Sequence, residues 1–169
     1  MINTYSLADH QLVIGMSTET AQRLNLKDAN GNLLKSYTIG GPGENVEGSF
    51  VCQILVSRNA IFYETEGDAT GSWVHNKNLN RTGLITLEIN QISDDAITLI
   101  QLTQILESVQ SAGPGLELTI NSVAETPSTT MVTGRDSMIQ KLPDLTLAEK
   151  AGMLSWVFTC GQVIYEHSR

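Results

Sequence analysis

The chain has 169 residues, 41% hydrophobic and 17% charged, which is long enough to bury one ordinary core without a disulfide or metal staple. Lys and Arg number 10 against 18 Asp and Glu, a formal charge of −8, which argues against a protein that grips nucleic acid through its phosphates. The start, Met1-Ile2-Asn3-Thr4-Tyr5, lacks the basic stretch and apolar run of a secretion signal, and no segment reads as a membrane-spanning helix. A reducing, cytoplasmic site of synthesis without membrane insertion is the expectation.

In chain order, residues 11–16 form a first short strand. From 17 to 47 the apolar periodicity fades. Asn30-Gly31 reads as a tight turn, and Gly40-Gly41-Pro42-Gly43 as a loop that combines glycine freedom with proline's fixed φ. The whole stretch 17–47 is expected to be a long loop or arm leaving the body of the fold. Residues 50–57 (FVCQILVS) are apolar at nearly every position and predict a strand covered on both faces.

Further strands are expected from Ile61-Phe62-Tyr63 and at Ser72-Trp73-Val74-His75. Trp73 has polar neighbours in Ser72, His75 and Asn76, which suits either a core position or a subunit interface. Across 82–91, Ile85, Leu87 and Ile89 point one way, and Thr86, Glu88 and Asn90 point the other. A helix then starts from Ser93 as N-cap, with Asp94 and Asp95 placed where the helix dipole favours negative charge. Its apolar stripe is Leu99, Leu102, Leu106 and Val109, and Gly113-Pro114-Gly115 ends it. Leu116, Leu118 and Ile120 alternate in a later strand. Leu154, Trp156, Phe158 and Cys160 do so near the end, and this pattern places Trp156 in the core. One helix among about seven strands predicts a mainly β fold: a single domain over 1–169, a β-sandwich or barrel with one packed α-helix.

Residues able to carry chemistry are sparse. His10, His75 and His167 are scattered and lack metal-site spacing, and the nucleophile-elbow, zinc-helix and phosphate-loop patterns are all missing. Cys52 and Cys160, without CxxC spacing, read as two reduced and largely buried thiols. Asn80-Arg81-Thr82 fits a glycosylation sequon but carries no weight without a secretion signal. No enzyme, metal or cofactor is expected. The glycine-rich loop and Trp73 leave open a small monomeric binding module that presents an aromatic platform.

The stretch 67–102, GDATGSWVHNKNLNRTGLITLEINQISDDAITLIQL, resembles the tail tube proteins of contractile-tailed bacteriophages. It carries a glycine-marked turn, a polar strand with Asn and Arg, a Gly-Thr/Ile/Leu strand, then Gln and Ser leading into a helix. The stretch 141–163, KLPDLTLAEKAGMLSWVFTCGQV, is similar to that family's ending, with a final strand bearing Trp, Phe and Cys. The resemblance implies hexameric rings whose subunit sheets join edge to edge into one β-barrel, stacked into a hollow tube. Such a tube assembles in the host cytoplasm on a baseplate, around a tape-measure protein and inside a sheath. It resides in the virion tail and passes viral DNA without binding it specifically. On that reading Thr86, Glu88 and Asn90 are possible lumen-facing residues. Gly40, Gly41, Pro42, Gly43 and Trp73 are possible inter-subunit or inter-ring contacts. A low-copy baseplate initiator or tube adaptor is the alternative within the same family. The stretch 17–47 is longer than the family pattern.

Overall fold

Alternation of apolar and polar side chains builds most of the protein. The structure, a computed structural model, describes residues 7–41, 51–108, 115–122 and 129–166. After a 3-10 turn at Leu7–Asp9 come β1 (His10–Gly15), α1 (Thr18–Leu24), β2 (Ser36–Gly40) and β3 (Val51–Arg58). Then follow β4 (Tyr63–Gly67), β5 (Trp73–Lys77), β6 (Gly83–Asn90), α2 (Asp94–Ser108), β7 (Leu116–Ser122), β8 (Thr129–Ile139) and β9 (Met153–Tyr165). Among the described residues, seven strands make one antiparallel sheet in the order β2-β1-β7-β8-β9-β6-β3, and β4 pairs only with β5.

The sheet curls into a half-barrel whose inner face holds the core. Cross-strand register sets that face: Ile54–Leu87–Trp156 and Val56–Ile85–Phe158 run across β3, β6 and β9. Leu12–Ile120 and Ile14–Leu118 continue it across β1 and β7. Trp156, Phe158, Leu87, Ile85, Leu12 and Ile14 are wholly buried there with Leu99 and Leu102 of α2. Thus the mainly β fold with a packed helix holds. Ser93 caps α2 as expected, its Oγ accepting from Ala96 N–H at 3.3 Å. Leu99 and Leu102 are buried and Leu106 partly so, while Val109, Gly113 and Pro114 lie outside the described residues.

Three expectations need correction. The strand at 50–57 is real from Val51 onward, but it is not covered on both faces. Among the described residues it is an edge strand paired with β6 alone, and a register shift between Val51 and Gln53 turns Cys52 outward. Leu55, on its outer side, is 51% exposed. For the same reason Cys52 is an exposed thiol, with its sulfur 3.7 Å from Met153 Sδ, whereas Cys160 is buried as expected.

The stretch 17–47 is not a featureless excursion. Residues 18–24 form a second helix, α1, and 36–40 pair with β1; Pro42, Gly43 and the rest of 42–47 lie outside the described residues. Capping rather than periodicity makes α1: Ser17 Oγ accepts from Thr20 N–H at 3.3 Å, and Asn25 closes the helix in the left-handed region at φ 56°. The Asn30-Gly31 turn is present, with Gly31 at φ +82°. Asp28 Oδ1 accepts there from the Asn30 and Asn32 amides at 2.9 and 2.8 Å.

Candidate assembly surfaces

Among the described residues, the element that leaves the body of the fold is the β4–β5 ribbon. Every residue of both its strands is exposed. Asp68 builds its tip, accepting from Thr70 Oγ1 at 2.6 Å, Thr70 N–H at 2.9 Å and Ser72 N–H at 3.0 Å. These bonds, the Thr70 hydroxyl's first, hold the Asp68 carboxyl below its usual range. Register places Tyr63, Thr65 and His75 with Trp73 and Lys77 on one face, and Glu64, Glu66, Val74 and Asn76 on the other. Trp73 pairs with Gly67 and is 71% exposed, which removes the core from its two expected places.

The base of the ribbon is pinned. Arg58 donates through Nε and Nη2 to the Val163 carbonyl at 3.1 and 2.7 Å, and its guanidinium lies 5.6 Å from the Tyr165 ring centre. Val163 N–H donates in turn to the Arg81 carbonyl at 2.8 Å. Gly83, the first residue of β6, fits here only because it has no side chain. A Cβ would lie 2.3 Å from the Ser57 carbonyl oxygen and 2.7 Å from Val163 Cγ2.

A second surface is the outer face of β3, β6 and β9. Thr86, Glu88 and Asn90 share it, each half-buried, while Ile85, Leu87 and Ile89 are wholly buried on the other side. Leu55–Thr86–Val157 and Gln53–Glu88–Ser155 are its cross-strand rows. Ser155 Oγ donates to Glu88 Oε1 at 3.3 Å. Among the outward positions of these three strands, Glu88 is the one charged residue.

The third feature is the pair of sheet edges, β2 and β3. At one end they converge: a Cβ at Gly40 would lie 3.2 Å from the His10 carbonyl oxygen and 3.4 Å from Val51 Cγ2. Gly40 is therefore the last residue of a strand, not part of a loop, and its φ of +81° suits glycine alone. Gly41 follows it as a bend.

Among the described residues no group of three or more His, Cys, Asp or Glu is placed to hold a metal ion. A hollow between the helices is lined by Arg23, Leu24, Gln101, Gln104, Ile105 and Ser108, which offer amides and a guanidinium but no carboxylate or imidazole. His75 is on the ribbon, its Nδ1 2.8 Å from Thr65 Oγ1, and far along the chain from His10 at the start of β1; His167 lies outside the described residues. No described helix is long and apolar enough to cross a membrane.

The family described as bacteriophage PhiTE tail tube protein matches residues 30–166, from the turn before β2 to the end of β9. The chain belongs to that family. No curated protein matches it significantly. A tail tube protein is a structural component of the virion tail, so the surfaces that matter on this one are those that meet other copies. Sequence reasoning flagged Trp73 and the polar row of β6. It missed the ribbon as an isolated unit, although the run of Asp, Thr, Gly and Ser at 68–72 between two strand candidates is a hairpin signal.

Proposed function

We propose that the chain is the main tube subunit of a contractile phage tail. The family match over 30–166 carries this reading. Six copies close a ring, with the β2 edge of one sheet facing the β3 edge of the next. Unpaired edges are an aggregation liability, and closure into a ring removes them. Rings stack into a hollow tube inside the sheath, built in the host cytoplasm on a baseplate and around a tape-measure protein. The face bearing Thr86, Glu88 and Asn90 lines the channel through which viral DNA leaves. A nearly uncharged wall suits that task, because DNA is held mainly through cations that neutralise its phosphates. Gly40 and Gly41 sit at the subunit junction and Trp73 between rings.

Negative-stain electron microscopy of the concentrated protein, beside its mass in solution, tests the reading. Rings and hollow tubes with six-fold end views are expected. A particle that stays monomeric even with sheath and baseplate proteins overturns the tube in favour of a monomeric binding module. Counting copies per virion separates the main tube, with many, from a baseplate initiator or adaptor, with few.

A further inference from the structure

Two apolar surfaces stand at opposite ends of the same sheet. The ribbon rises where Arg58 pairs with Gly83, at one end of β3 and β6. Residues 141–152 cross the other end, entering β9 at Met153, which pairs with Asn90. The eight residues of β6 separate them, a distance of about 25 Å at strand rise. The ribbon exposes Tyr63 and Trp73 on one face, with Ile61, Phe62 and Leu79 near its base. The far segment exposes Leu142, Leu145 and Leu147, the last at 82%. It has no regular structure, yet both ends are fixed: Gln140 N–H donates to the Val157 carbonyl at 2.9 Å, and Gln91 N–H to the Gly152 carbonyl at 3.1 Å.

We propose that the aromatic face of the ribbon in one copy docks on the Leu142, Leu145 and Leu147 segment of a copy in the next ring. The inference rests on the tube reading above and assigns the receiving surface. Patches at opposite ends of one molecule make a head-to-tail contact, which repeats without closing and so propagates a stack. Ribbon-to-ribbon docking through this face is disfavoured, because the strand charge it carries is Lys77, Glu64 and Glu66 lying on the opposite face, so two such faces would bring cations together. The leucine segment instead offers Asp144 and Glu149 beside Lys141 and Lys150. Apolar side chains this exposed on a free subunit are the expected mark of a partner surface.

The test keeps Trp73 and the leucines intact. In a Cys52→Ser background, where the remaining Cys160 is buried, His75→Cys and Thr146→Cys are made in separate proteins and assembled together. Mild oxidation is expected to shift the subunit band to a dimer in mixed tubes, with loss of that dimer when either protein is assembled alone. Mixed tubes with no dimer, or His75→Cys tubes that cross-link by themselves, overturn the docking and leave the tube reading standing. A Leu145→Asp/Leu147→Asp variant gives a second readout: single rings with loss of tubes are expected, and full-length tubes overturn the proposal. Wild-type protein that forms neither rings nor tubes overturns both readings together.

Discussion

Tyr37 and Asp95 join parts of the chain that sequence alone does not bring together. Asp94 and Asp95 both read as charges at a helix start, and Asp94 is indeed exposed. Asp95 is only 6% exposed and accepts a hydrogen bond from the Tyr37 hydroxyl at 2.5 Å. Nothing in the sequence marks which of two adjacent carboxylates turns inward, because that depends on β2 lying beside the helix start. Burial first, and the bond to Asp95 second, push Tyr37 up to about 12 from an ordinary value of 10. The neutral phenol is thus favoured on folding. Its stabilisation is full below pH 10 and is lost as pH rises through about 12. Tyr37→Phe should cost about 1–3 kcal/mol at neutral pH, because a buried carboxylate loses a donor. Urea melts of the variant should also fall less steeply between pH 10 and 12 than those of wild type. An unchanged alkaline slope would exclude Tyr37 as its source. Gly83→Ala should destabilise by about 1–3 kcal/mol in the same assay, since backbone and Val163 must move to admit the methyl.

At the scale of elements, legibility followed how burial is arranged. Strands with one wet face and one dry face, β6 and β9, were readable from alternation, and their buried residues Ile85, Leu87, Trp156 and Phe158 are the ones the pattern names. β3 misled because its outward positions carry Cys52 and Leu55 where a solvated strand would carry polar residues. Such a sequence reads as two-sided burial, and the second cover is absent among the described residues. α1 has seven residues and two buried positions, too few for a periodic signal, so only its caps could have revealed it. The ribbon's strands were readable, but not their separation from the sheet, since isolation is a property of pairing. Excising the ribbon tests that separation. Replacing residues 61–80 with Asn-Gly, a two-residue hairpin turn, should leave the melting temperature within about 2 °C of wild type, because no core residue is touched. A large drop, measured by circular dichroism, would mean that the ribbon supports the subunit itself.

At the scale of the whole molecule, the charge of −8 is not spread evenly. The outer face of β3, β6 and β9 carries one carboxylate, Glu88, among Gln53, Leu55, Thr86, Asn90, Ser155, Val157 and Thr159. The charge of −8 argues against a chain that grips nucleic acid through its phosphates. A channel wall made of this face would avoid that grip by carrying almost no charge, and above all no Lys or Arg. Glu88→Lys is therefore a sharp probe of which face lines the channel. Glu88 is half-buried and, among the described residues, bonded to Ser155, so the subunit should fold and assemble normally. Each ring would then present one lysine per copy to passing phosphates, stacked along the tube. If this face lines the channel, variant virions should form in normal numbers but eject DNA slowly, and added salt should relieve the delay as counterions compete for the phosphates. Ejection at the wild-type rate and salt dependence would assign Thr86, Glu88 and Asn90 to the outside of the tube or to a junction between subunits.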